Sequence, residues 1–143
     1  MVYLVYGIFR FRSQQELTMD LVFVSKLIYL IKKEIGKEDL PTSWLEFFLL
    51  VAISGDEGVT TMEVCDGIGM AQAPASRMVK IMSTYLDPKT RSSAGLGIYT
   101  TFPDHEYRHR QRVILTQKGK DIIKAAERLL KWHNEFLKIE ASP

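Results

Sequence analysis

Apolar and polar positions alternate along this chain with two periods, and together they predict five helices and one pair of strands. The first helix runs from Ser13 to Ile35. Leu17, Leu21, Val24, Ile28, Ile31 and Ile35 recur there at steps of four and three, the spacing that aligns side chains on one helix face. Phe23, Leu27 and Leu30 widen the stripe, and Ser13 with Glu16 forms a capping-box pattern at its start. So wide an apolar surface can bury one side in its own domain and another against a partner helix. The same pattern also fits the core helix of a monomer. Gly36 to Leu40 is a connection. Pro41 opens a second helix, to about Ser54, with Leu45, Phe48, Leu49 and Ala52 on one face and Trp44, Phe47 and Val51 beside them. Ser54 to Gly58 is a turn.

From Thr60 to Gly119 the pattern becomes more specific. Thr60 and Glu63 form a second capping-box pattern, and Val64 and Ile68 give that short helix an inward face. Gly67 and Gly69 suit a tight inter-helix turn, because glycine adopts left-handed backbone conformations readily. The next helix spans 73–86, with Pro74 at its first position, where a missing N–H has no intrahelical partner. Met78, Ile81, Met82 and Tyr85 form its expected buried stripe. The opposite side offers Gln72, Ala75, Ser76, Arg77 and Lys80: small and polar groups that let a backbone approach DNA, with Gln matched to adenine and Arg to guanine in the major groove.

A polar loop from Asp87 to Gly95 follows, with Lys89 and Arg91 available to phosphate. Then Ile98 to Thr101 and Val113 to Leu115 read as strands. Alternation puts Arg108, Arg110 and Arg112 on one face of the second strand, with Val113 and Leu115 on the other. Three arginines on a ribbon suit phosphate or the minor groove; charge on a solvated edge strand, guarding against aggregation, ranks second, because the arginines follow a helix-turn-helix at the spacing a wing needs. Thr116 caps the last helix, Gln117 to about Ile139, whose Ile122, Ala126, Leu129, His133 and Leu137 fall near one face.

Charge placement bears on the choice. The chain has a formal net charge of +2. Met70 to Lys120 carries nine Lys or Arg against three Asp or Glu, a net +6, and the remainder carries ten against fourteen, a net −4. That polarisation is the footprint of nucleic-acid binding.

The order helix, helix-turn-helix, basic hairpin and long helix resembles the MarR family of winged-helix transcription regulators. Ala75-Ser76-Arg77-Met78-Val79 is similar to the small-Ser-Arg-apolar run of that family's recognition helix, and Val113-Ile114-Leu115-Thr116-Gln117-Lys118-Gly119 to its strand-to-helix junction. The likeness covers roughly Thr42 to Leu130. In that family an Asp and an Arg stand nine and seven positions before the junction Thr. Here those positions are Tyr107 and His109. The resemblance implies a mainly α protein with a small β wing: a winged helix-turn-helix lobe over 41–116 in a single domain, 1–143, with dimerisation helices at 13–36 and 117–140. It implies a dimeric repressor of transcription that binds double-stranded DNA at half-sites about 10 bp apart or multiples of that. A small aromatic effector between the dimerisation helices and the lobes is a further implication, with Trp44, Phe47, Phe48, Tyr29 and Trp132 as candidate lining.

Other chemistry is sparse. His105 and His109 sit beside Asp104 and Glu106, but a solvated hairpin tip accounts for them more simply than a metal. Cys65 lies near Glu63 and Asp66, where acids discourage a thiolate, and one cysteine forms no intramolecular disulfide. No nucleophile–base–acid arrangement, phosphate loop or cofactor motif is recognisable, so no enzyme and no cofactor are expected. Met1 to Phe9 has neither a secretory pattern nor the length of a membrane span. It reads as an extended arm, and the chain as cytoplasmic. Two other functions fit the same pattern: a winged-helix module that grips another protein, and a DNA-binding accessory factor in replication or recombination.

Overall fold

The computed structural model describes residues 14–141. The arm at Met1 to Phe9 and the capping box at Ser13 lie outside the described residues. In chain order the elements are α1 (Gln14–Ile35), α2 (Thr42–Ser54), a 3-10 turn (Gly55–Glu57), β1 (Val59–Thr60), α3 (Thr61–Ile68), α4 (Gln72–Met82), β2 (Tyr85–Leu86), β3 (Ser93–Ala94), β4 (Tyr99–Pro103), β5 (Gln111–Leu115) and α5 (Gln117–Ala141). The fold is mainly α with a small β wing, a winged helix-turn-helix. Its contacts divide into two compact units: one from the described residues up to Ile31 and from Ala125 onward, the other Lys32–Lys124.

In the first unit α1 and α5 are tied by a buried polar contact. His133 Nε2 lies 3.0 Å from Asp20 Oδ1, and the imidazole stacks on Phe23 at 4.5 Å. The expected α5 face is turned inward at His133, which is buried. On α1 the expected seam is largely bare: Leu17, Leu21, Val24 and Ile28 are exposed, and Ile31 is buried.

The second unit holds a continuous core. Phe47, Phe48 and Val51 come from α2, Val64 and Cys65 from α3, Ala75, Met78, Val79 and Met82 from α4, and Val113 and Leu115 from β5. The three-stranded sheet has the order β1-β5-β4, all antiparallel, with Val59 opposite Val113 and Tyr99 opposite Leu115. Period-two alternation in β5 puts Val113 and Leu115 inside, as their sequence spacing requires.

The helix-turn-helix forms for local reasons. Thr60 Oγ1 accepts the Glu63 N–H and Glu63 Oε2 accepts the Thr60 N–H, closing the capping box. Gly69, at φ 69°, closes the far end of α3, and its N–H donates to the Cys65 carbonyl. Gly67 lies within α3 and makes no turn.

Helix α4 is shorter than expected, Gln72–Met82 rather than 73–86. Its last carbonyls are claimed by the returning chain: Ile81 O accepts the Leu96 N–H at 2.9 Å, and Met82 O accepts the Ile98 N–H at 2.7 Å. The Ser83 hydroxyl donates back to Val79 O at 2.6 Å, and Tyr85 passes into β2. Pro74 therefore stands at the third helical position, still among the N–H groups that a helix leaves unpaired. The buried stripe is Ala75, Met78, Val79 and Met82, while Ile81 is exposed.

The polar loop after α4 is pinned at both ends. β2 pairs with β3, Tyr85 opposite Ala94 and Leu86 opposite Ser93. Gly95, at φ 95°, passes so close to the end of α4 that a Cβ there would lie 1.8 Å from Ser83 O.

Candidate DNA-binding surface

Four of the five α4 residues expected to face DNA do face outward. Gln72, Ser76, Arg77 and Lys80 are exposed. Ala75 is not: it is fully buried, on the same side as Met78, Val79 and Met82. The shift follows from helical geometry, since Ala75 lies three and four residues before Met78 and Val79 and shares their face. Arg77 makes no ion pair among the described residues, and Lys80 Nζ lies 5.0 Å over the Tyr85 ring. In the following loop Lys89 and Arg91 are exposed. Arg91 adopts a positive φ of 53°, and its N–H donates to Asp87 O at 2.7 Å.

The three wing arginines differ from one another. β5 begins at Gln111, so Arg108 and Arg110 belong to the hairpin turn and not to an alternating strand face. Arg108 is exposed, and the Arg110 guanidinium stacks over Tyr107 at 4.5 Å. Arg112 is committed to the protein itself. Its Nε donates to Glu57 O at 2.8 Å, its Nη2 to Gly58 O at 2.9 Å and its Nη1 to Asp104 Oδ1 at 3.1 Å. A guanidinium is a planar fork suited to several acceptors at once, and here it clamps the wing to the 3-10 turn. Arg112 is thus a brace for the wing and offers little to a phosphate.

Asp104, expected at a solvated hairpin tip, is buried. Burial alone would raise its carboxyl. The hydrogen bond and charge of Arg112, with the N–H groups of His105 and Tyr107, outweigh that and hold it below its ordinary value. The signal for this pair lies in the hairpin register. Phe102 stands opposite Arg112 and Pro103 opposite Gln111, which makes Asp104 and Arg112 diagonal neighbours across the strands.

A cavity of about 720 Å³ lies beside this brace, with Asp56, Glu57, Glu63 and Glu106 among its lining. Its carboxylates make it a poor seat for an anion. Among the described residues no group of three His, Cys, Asp or Glu is placed to hold a metal ion. Burial, then the Asp66 charge, pushes the Cys65 thiol up. Of the expected effector-lining aromatics, Phe47 and Phe48 are fully buried core side chains, Phe47 lying 5.9 Å from Tyr99. No helix among the described residues is long and apolar enough to cross a membrane.

A fold of this kind defines a class, and comparison with solved structures places it. The chain has the fold of MarR-family transcriptional regulators. It matches S. aureus MepR in a DNA complex with TM-score 0.60 at 10% identity, over 87% of this chain and 90% of that one. It matches a MarR transcriptional regulator from Methanosarcina mazei Go1 with TM-score 0.50 at 17% identity, over 84% and 80%. S. aureus MepR bound to ethidium bromide matches with TM-score 0.57 at 10% identity, over 92% and 84%. No protein-family model and no curated protein matches the sequence.

Proposed function

We propose that this chain is a sequence-specific, double-stranded-DNA-binding transcription regulator that acts as a homodimeric repressor in the cytoplasm. The observation that carries the reading is the outward face of α4 and the wing. Gln72, Ser76, Arg77 and Lys80 on the helix and Arg108 on the turn stand exposed, with no carboxylate paired to them among the described residues. In this role α4 enters the major groove, with Gln72 and Arg77 toward base edges and Ser76 and Lys80 toward phosphate. Arg108 and Arg110 hold the wing on the backbone or minor groove, and Lys89 and Arg91 extend the contact. Arg112 and Ala75 act indirectly, through the brace and the core.

Dimerisation is supported by the bare α1 seam, where Leu17, Leu21, Val24 and Ile28 are exposed at heptad-like spacing. A small aromatic effector is a further part of the proposal. The ethidium-bound S. aureus structure supports it; of the candidate aromatics Tyr29 and Trp132 are exposed and Trp44 is half-buried.

The test is fluorescence anisotropy on pooled duplexes with competitor at two salt concentrations. Selection of one pseudo-palindromic motif supports the regulator. Salt-sensitive binding without a motif replaces it with an accessory factor, and no binding at low salt refutes the DNA reading.

A further inference from the structure

Helix α2 is apolar nearly all round. Glu46 is its single charged residue, and a helix of that composition is ordinarily buried on every side. Here only one side is. Phe47, Phe48 and Val51 face the core, while Leu49 is 38% and Ile53 80% exposed and Leu50 is half-buried. Leu49, Leu50 and Ile53 stand three and four residues apart or adjacent, and so share one outward face. Beside it lies α3, whose Gly67 is exposed. A Cβ on Gly67 would meet only Leu50 Cδ1, at 4.0 Å, and its φ is not positive. Neither space nor backbone therefore calls for glycine, and within a helix glycine is less favourable than alanine. Its effect is to leave the strip between α2 and α3 open down to the α3 backbone.

Charge limits what can lie there. Thr42 to Ser76 carries five Asp or Glu and no Lys or Arg. Asp56 is paired with Lys120, and Glu63 closes its capping box. Glu46 and Asp66 are exposed and make no ion pair among the described residues. Glu46 stands one turn before Leu49 and Leu50, and Asp66 is next to Gly67, so each helix brings a carboxylate to the apolar strip.

We propose that this strip is a docking site for a cationic amphipathic helix of a partner protein. The apolar face of that helix, at three- and four-residue spacing, lies on Leu49, Leu50 and Ile53. Its backbone approaches over Gly67, and its Lys or Arg flanks meet Glu46 and Asp66. Nucleic acid and anionic lipid surfaces are repelled by the same carboxylates. A second copy meeting this face about a two-fold axis would set acid against acid. The proposal depends neither on DNA binding nor on the α1 seam.

The probe is a labelled synthetic peptide of about five helical turns, with Leu at i, i+3, i+4 and i+7 and Lys elsewhere. A counterpart with Glu in place of Lys is the control. Affinity for the full chain is read by fluorescence anisotropy. The Lys peptide should bind, more weakly as salt rises, and the Glu peptide should not. Ile53→Ser should weaken binding about tenfold or more, since an isoleucine side chain is lost from the contact. Gly67→Gln, which fills the strip, should weaken it by a similar factor while the urea midpoint stays at or above wild type, because Gln is the better helix former. Leu86→Ser, at an exposed apolar residue of β2, should leave affinity unchanged. No binding of the Lys peptide, equal binding of the Glu peptide, wild-type affinity in both Ile53→Ser and Gly67→Gln, or equal weakening by Leu86→Ser overturns the proposal. Sedimentation covers the remaining occupant: a dimer that Ile53→Ser dissociates and Leu21→Glu does not assigns the face to a second copy and overturns it as well.

Discussion

Replacing Arg112 with alanine removes three hydrogen-bonding arms at once. Two reach the Glu57 and Gly58 carbonyls, at 2.8 and 2.9 Å, and the third reaches Asp104. Hydrogen bonds from a charged donor contribute about 1.5–3 kcal/mol each when sheltered. The Arg112 side chain retains 21% exposure, so water screens part of that and takes over some of the freed acceptors. The two carbonyl arms together then contribute about 2–3 kcal/mol, before any effect of leaving Asp104 unpaired. Arg112→Ala should lower the denaturation free energy by at least this amount, and Arg112→Lys should recover only part of it, because an ammonium cannot span the same fork of acceptors. Urea denaturation of the three proteins measures the loss. DNA affinity against salt then distinguishes a brace from a contact. A brace lowers affinity while the salt slope stays near wild type; a phosphate contact lowers the slope by about one unit. Wild-type stability combined with a full unit lost from the slope would refute the brace.

The other predictions test separate parts of the structure. Arg108→Ala and Arg110→Ala should each lower the DNA salt slope by about one unit; unchanged slopes in both would remove the wing from the interface. Gly95→Ala should destabilise the chain by at least about 2 kcal/mol by denaturant melt, because the new methyl meets the Ser83 carbonyl at an unfavourable positive φ, and a wild-type midpoint would contradict this. Asp104 has a depressed carboxyl, so its contribution is present above the ordinary value of 3.8 and is lost as pH falls through the lower folded value. The stability gap between the wild type and Asp104→Asn should therefore shrink as pH falls below that value, and a pH-independent gap would refute the assignment. Leu21 is 61% exposed, so Leu21→Glu should remain folded but sediment as a monomer; a dimer of wild-type stability would show that the α1 seam is not the interface.

Much of this architecture was written in short-range patterns. Thr60 and Glu63 specify the start of α3 because both partners lie within one helical turn. Val113 and Leu115 declare their inward face because strand side chains alternate strictly. The α1 seam is visible for the same reason, its period being a property of the helix alone. The polarised charge of the stretch from Met70 to Lys120 needs only counting.

Tertiary structure decided what depended on distant chain segments. The end of α4 is set by Leu96 and Ile98, whose N–H groups claim the Ile81 and Met82 carbonyls, and helix propensity does not register that competition. Ala75 turned inward because the core approaches α4 from that side, and a small apolar residue is compatible with either face. Arg112 looked like its neighbours Arg108 and Arg110, since alternation ranks all three alike. Its role follows from two carbonyls more than fifty residues earlier and from a buried aspartate across the hairpin. Charge along a sequence reveals how many cations a surface can have, but only the folded chain determines which of them its own acceptors have already taken.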